Sequence, residues 1–184
     1  NGVPPALVVR GLDNTYAGGF SATAGSETRI SVDTTTRGGT TSIAAATANL
    51  STSITAVNDA PVLADTVLGV TVAEDAGVPT GAVGSLVSAF TGGISDVDAG
   101  AARGVALVNS IESNGVWYYS TNSGTNWAVV GTVNTANSLL LTANASTRLY
   151  FAPVADYNGT SAGALTLRAW DTTSGSAGTK VSTA

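Results

Sequence analysis

The sequence predicts an all-β protein made of many short strands. Glycine, threonine, serine, alanine and valine dominate its 184 residues, a composition that favours strands joined by turns. Apolar residues alternate with polar ones, or run together briefly, between clusters of Gly, Asn, Asp and Ser. No convincing apolar stripe recurs at helical spacing, and the Ala-rich run 43–48 is too short and too Thr-flanked to make a helix. Hydrophobic residues reach 43% and charged residues only 10%, so the chain has the means to bury a core.

The candidate strands follow one another at 6–12 (ALVVRGL), 28–33 (TRISVD), 50–57 (LSTSITAV), 68–74 (LGVTVAE), 84–90 (GSLVSAF) and 104–111 (GVALVNSI). They continue at 116–121 (VWYYST), 127–133 (WAVVGTV), 138–143 (SLLLTA), 147–153 (TRLYFAP) and 164–171 (ALTLRAWD). About eleven short strands with turn residues between them is the pattern of a sandwich or barrel. The clearest local feature is the hairpin WYYSTNSGTNW, in which an Asn-Ser-Gly-Thr-Asn turn separates two aromatic-rich strands. It resembles an Asp-box turn with Asn122 in the place of the aspartate. A single copy reads as a structural turn, since a propeller needs the motif repeated blade by blade. A faint internal echo relates 171–183 (DTTSGSAGTKVST) to 13–32 (DNTYAGGFSATAGSETRISV).

The side chains present restrict the chemistry. There is no Cys, Met or His, and the net charge is −5. Thiol catalysis, disulfides, His-based proton transfer and the usual zinc and copper ligands are therefore excluded. The acidic balance makes nucleic acid a poor partner, and no apolar run is long enough to span a bilayer, so no membrane insertion is expected. No signal peptide opens the chain, which reads as an excised fragment. Carboxylates, amides, hydroxyls and aromatics remain, an inventory suited to hard, oxygen-loving cations such as Ca2+. No enzyme is expected: nothing places a carboxylate pair across a cleft.

From Ala56 onward several stretches carry a resemblance: VNDAPVL (57–63), VAED (72–75), SDVDAG (95–100), WYYSTNSGTNW (117–127), LYFAPVADYNG (149–159) and LRAWDTTSG (167–175). Their types and order resemble the tandem repeats of giant bacterial surface adhesins of the repeats-in-toxin kind, exported by type I secretion. The resemblance implies a calcium-stabilised, immunoglobulin- or cadherin-like β-sandwich on the bacterial cell surface, in adhesion and biofilm. Two kinds of module share these motifs. Short extender repeats are stiffened by calcium at their joints. Larger ligand-binding modules include a calcium-dependent domain that captures the free carboxyl end of a peptide. The size of this chain and its aromatics between Trp117 and Trp170 favour the second kind. A calcium-dependent carbohydrate-binding module is a further alternative.

The acidic residues are unevenly spread. Six of the twelve fall in 59–98: Asp59, Asp65, Glu74, Asp75, Asp96 and Asp98. In the cadherin-like pattern an Asn-Asp joint, a Glu one strand later and an Asp-x-Asp loop share calcium, and here Asn58, Asp59, Glu74, Asp96 and Asp98 match those positions. Ala56 stands where the joint usually begins with another Asp. A second candidate group is Asp156, Asn158 and Asp171, at the ends of predicted strands, with Asp13 and Asp33 as possible additions. The competing reading is that such loop acids simply cap turns.

An ion with open coordination positions would accept the terminal carboxylate of a peptide or protein on host or neighbouring cells. Ser174, Gly175 and their Gly-rich neighbours supply backbone donors for it. Trp170, Tyr157 and Tyr16 are the aromatics expected to pack the ligand, beside Asp171. Alternation puts Trp170 on the face opposite Leu165, Leu167 and Ala169, outside the core. About 55 residues before the joint are marginal for a domain. The expected organisation is therefore one monomeric module over 1–184, in which 1–57 donate strands to a repeat-like body at 58–184, with neighbouring adhesin repeats as further partners.

Overall fold

The computed structural model describes residues 4–21, 29–64, 68–162 and 164–184. Asp65 and Thr28 lie outside them. The described chain is all-β, with twelve strands and one short 3-10 helix, and its sheets are antiparallel and compatible with a β-sandwich. Among the described residues no helix is long and apolar enough to cross a membrane. The chain divides into two compact units, Asn1–Ala56 and Val57–Ala184. The division falls two residues before Asn58, inside the joint-like motif.

In the first unit β1 (Leu7–Val9) pairs with β2 (Ala48–Leu50), Leu7 opposite Leu50 and Val9 opposite Ala48. A bridge between Leu12 and Ile43 prolongs the ribbon. Among the described residues of this unit Ile43 is the buried apolar side chain, whereas Leu7 is 62% exposed and Leu50 59% exposed. Residues 29–33, expected in a strand, form no ladder, and the strand expected at 50–57 lies earlier, at β2.

The second unit is built on two four-stranded sheets. The first has the order β4 (Ser85–Leu86), β10 (Arg148–Pro153), β7 (Gly115–Ser120), β8 (Ala128–Val129). The second has the order β11 (Leu165–Trp170), β6 (Gly104–Ser110), β9 (Ser138–Thr142), β12 (Lys180–Val181). Strand alternation sends Val105 and Leu107 of β6 and Leu139 and Leu141 of β9 into one core, where they meet Trp117 of β7 and Leu149 and Phe151 of β10. Trp117 and Phe151 stack at a tilt, 4.9 Å between ring centroids. A small ladder joins β3 (Val62–Leu63) to β5 (Ile94–Ser95).

The other face of the second sheet is covered as well. The connection from β11 to β12 crosses it, and Trp170 packs there on Ala106 and Leu140. Trp170 stands opposite Gly104 in the ladder; a Cβ on Gly104 would lie 2.6 Å from the Trp170 ring, so the close approach requires glycine.

Two expected strands of the second unit are different in the structure. After Leu86 the chain turns into a 3-10 helix, Val87–Phe90, which buries Val87 and Phe90; their spacing of three is that of one helical turn. Residues 68–73 form no ladder, although Val70 and Val72 pack on the core. The hairpin turn after β7 is structural. Asn122 Oδ1 accepts from the Asn126 N–H at 2.9 Å, and the Gly124 N–H donates to Ser120 Oγ at 2.9 Å.

Leu139 is fully buried and Leu7 mostly exposed, so the same truncation should differ sharply at the two sites. Leu139→Ala is expected to cost about 2–5 kcal/mol, and Leu7→Ala to stay within about 0.5 kcal/mol. Urea unfolding of the full chain followed by circular dichroism measures both; equal costs would contradict the burial described.

Candidate functional site

The β3–β5 ladder builds the first cluster. Val62 pairs with Ser95 and Leu63 with Ile94, so the residues just before β3 run beside those just after β5. The Asp59 N–H donates to Asp98 Oδ2 at 2.8 Å, and the Asp98 N–H donates to Asp96 Oδ1 at 2.8 Å. β11 lies against β3, which delivers Asp171, the residue after β11, to the same place. Asn58 Nδ2 donates to Asp171 Oδ2 at 2.7 Å. Asn58, Asp59, Asp96, Asp98 and Asp171 are thereby gathered from three separate stretches.

One carboxylate in this cluster and one oxygen of another are shielded from water. Asp171 is 8% exposed, and its Oδ1 accepts from the Thr173 N–H at 3.0 Å and from Thr173 Oγ1 at 2.8 Å. The Asn58 amide, acting with these donors against the opposing effect of burial, holds the Asp171 carboxyl below its ordinary value. Asp96 Oδ2 is buried and has no hydrogen-bond partner. A buried carboxylate oxygen without a donor is costly; a cation beside it removes that cost. The oxygen donors here are four carboxylates and one amide, the chemistry Ca2+ takes, but no three of these carboxylates bring oxygens within 4.8 Å of one another.

The second cluster is exposed. Glu74, Asp75 and Asp156 place carboxylate oxygens within 4.8 Å of one another, the one such group among the described residues. The Asp156 N–H donates to Asp75 Oδ1 at 2.9 Å. Asp75 and Asp156 both adopt positive φ, 60° and 58°, which aspartate tolerates better than most residues.

The grouping therefore differs from the sequence expectation at two residues. Glu74, expected at the joint, stands with Asp75 and Asp156, and Asp171, expected with Asp156 and Asn158, stands at the joint. Asp75 was absent from the expected ligands, although its place next to Glu74 in a turn is a readable signal. Asp13 and Asp33 belong to the first unit and accept from Thr15 and Thr35, which holds both carboxyls below the ordinary value.

The expected ligand-binding side chains are dispersed. Trp170 lies off the main core, as its alternation predicts, but it is 8% exposed and its Nε1 donates to the Ser174 carbonyl at 2.8 Å. Ser174 and Gly175 belong to the same covering connection, where Gly175 has φ 76°. Tyr157 is half-buried and its hydroxyl accepts from Asn114 Nδ2 at 3.2 Å. Tyr16, in the first unit, packs edge-on against Phe20, 5.7 Å between centroids.

Tyr157 and Asn158 border a cleft of about 980 Å3 that opens between the two sheets, with Trp117 and Phe151 on one wall and Leu165 and Leu167 on the other. Glu74 stands on its lining too, so the exposed acidic group and the cleft are contiguous.

Because the Asp171 carboxyl is lowered on folding, its stabilisation is complete above the ordinary value of 3.8 and is lost as the pH falls through the lowered one. Asp171→Ala strips Asn58 and Thr173 of their acceptor and should cost about 1–3 kcal/mol at neutral pH. The variant should also lose part of the acid-induced fall in stability below about pH 4, read from melting temperatures across a pH series. An unchanged acid limb would remove Asp171 from this role.

No family model, no curated protein and no solved structure matches this chain.

Proposed function

We propose that the chain is a calcium-stiffened module of a tandem-repeat bacterial surface adhesin, secreted and working outside the cell, with its principal ion at Asn58, Asp59, Asp96, Asp98 and Asp171. The observation that carries this reading is the set of hydrogen bonds that ties Asn58 to Asp171 and Asp59 through Asp98 to Asp96, whose other oxygen, Oδ2, is buried and unpartnered. All five residues belong to the second compact unit, and Asn58 and Asp59 stand close to its first residue in the sequence. Adjacent adhesin repeats are then its structural partners.

Calcium at a hundredfold excess over its dissociation constant should stabilise the fold by about 2.7 kcal/mol, on the order of 10 °C in Tm. Asp96→Asn combined with Asp98→Asn preserves shape and should abolish most of that rise in a calorimetric titration. A Tm indifferent to calcium, or a rise kept by the double variant, would sink the proposal.

The exposed trio supports a second reading, capture of a peptide's terminal carboxylate. An ion held by Glu74, Asp75 and Asp156 on the surface keeps positions open to an incoming anion, and the adjoining cleft offers Tyr157 and Trp117 to the last side chains. A library of free-acid peptides should bind in calcium, its amidated counterpart should not, and Glu74→Gln with Asp156→Asn should remove the difference. Equal binding of the two libraries to the unmodified chain counts against carboxylate capture.

A further inference from the structure

Asn-Gly occurs three times in the chain, at 1–2, 114–115 and 158–159. An asparagine followed by glycine is prone to react with its own backbone, because no Cβ on the next residue screens that residue's nitrogen from the side-chain carbonyl. A folded chain permits the reaction where the side chain is free to turn onto that nitrogen and the backbone is free to follow. The pair at 1–2 lies outside the described residues. The structure treats the other two in opposite ways.

Asn114 and Gly115 are held. Asn114 Nδ2 donates to Ser161 Oγ at 2.7 Å and to the Tyr157 hydroxyl at 3.2 Å, and the Asn114 carbonyl accepts from the Val154 N–H at 3.0 Å. Gly115 opens β7 opposite Pro153 and is buried. A Cβ on it would lie 2.4 Å from the Ala152 carbonyl oxygen and 2.5 Å from the Phe151 ring, so its backbone is tightly packed.

Asn158 and Gly159 are not. Both are exposed and lie in the loop after β10, outside any ladder. Among the described residues neither the Asn158 side chain nor the Gly159 N–H has a hydrogen-bond partner. Gly159 has φ 151°, a backbone setting open to glycine and strained for other residues. The flanks of this loop are fixed instead, at Tyr157 and Ser161, through their contacts with Asn114.

We infer that Asn158 is a site of spontaneous deamidation, and that the fold protects Asn114 from the same reaction. The Gly159 backbone nitrogen attacks Asn158 Cγ. A C–N bond forms there, the Cγ–Nδ2 bond breaks, and ammonia leaves with the proton given up by the Gly159 N–H. Water then opens the resulting succinimide at one carbonyl to give aspartate, or at the other to give isoaspartate; nothing is oxidised or reduced. Asn158 lines the same cleft as Glu74. Each conversion therefore adds a negative charge to a lining that already carries a carboxylate. The isoaspartyl product also lengthens the backbone by a carbon between the anchors Tyr157 and Ser161.

The test incubates the full chain in mildly alkaline buffer, which favours loss of the Gly159 amide proton, and maps its proteolytic peptides by mass spectrometry. Asn158 should convert roughly tenfold or more faster than Asn114, whose side chain must first break its hydrogen bonds to Tyr157 and Ser161. In concentrated urea, with the fold gone, the two sites should convert at similar rates, and Asn158→Gln should remove the conversion at 158 in either state. The isoaspartyl fraction should exchange its Val154 amide faster than the fresh chain, because that amide is held by Asn114. Equal rates at the two sites in the folded chain, or an Asn158 that converts in urea alone, would overturn the assignment; unchanged Val154 exchange would overturn the loosening of the anchors.

Discussion

The second unit depends on one shared apolar layer. Val105, Leu107, Leu139 and Leu141 reach it from one sheet, and Trp117, Leu149 and Phe151 from the other. Because side chains alternate across a strand, a slip of one residue in β9 would turn Leu139 and Leu141 outward and bring Leu140 in. Burial of this layer therefore holds the register of the central strands, and the register holds the ends of β6, β7, β9, β10 and β11 in place. Asp156 follows β10 and Asp171 follows β11, while Asn58 and Asp59 precede β3 and Asp96 and Asp98 follow β5, its ladder partner.

From that frame the acidic residues divide by solvent exposure. At the joint, Asp171 and one oxygen of Asp96, Oδ2, are out of water. Low polarity raises the cost of each unshared charge and equally raises the value of a donor or cation beside it. Asp171 is answered by Asn58 and Thr173, while one oxygen of Asp96 is not. Glu74, Asp75 and Asp156 stay in water, where their mutual repulsion is screened and an ion would remain accessible. The proposed division between a stiffening ion and an accessible one follows from this contrast in burial.

Long alternating runs were legible from the residues alone. β6, β7, β9, β10 and β11 fall within a residue or so of their expected places, since five to seven residues carry several cycles of the strand period. β3, β5 and β12 have two residues each, too few to carry a period, and exist because a neighbouring strand offers a ladder. Residues 68–74 have the right pattern, but a pattern records which face is buried and not whether a partner lies alongside. The Asn58, Asp59, Asp96 and Asp98 grouping was readable from motif order. The exchange of Glu74 and Asp171 between the two clusters was not, because it depends on β11 ending against β3 and on Asp156 turning toward Asp75.

Trp170 marks the boundary between the two kinds of knowledge. Alternation alone places it away from the main core, and it is there. Its burial comes from the connection between β11 and β12, which crosses the outer face and ties the indole to the Ser174 carbonyl. By itself the sequence determined the strand class, the core-facing residues of the long strands and the oxygen-only chemistry available to any site, because composition and period are local properties of the chain. The tertiary structure alone decided which acids meet and which of them lose their water, because those depend on contacts between segments far apart in sequence.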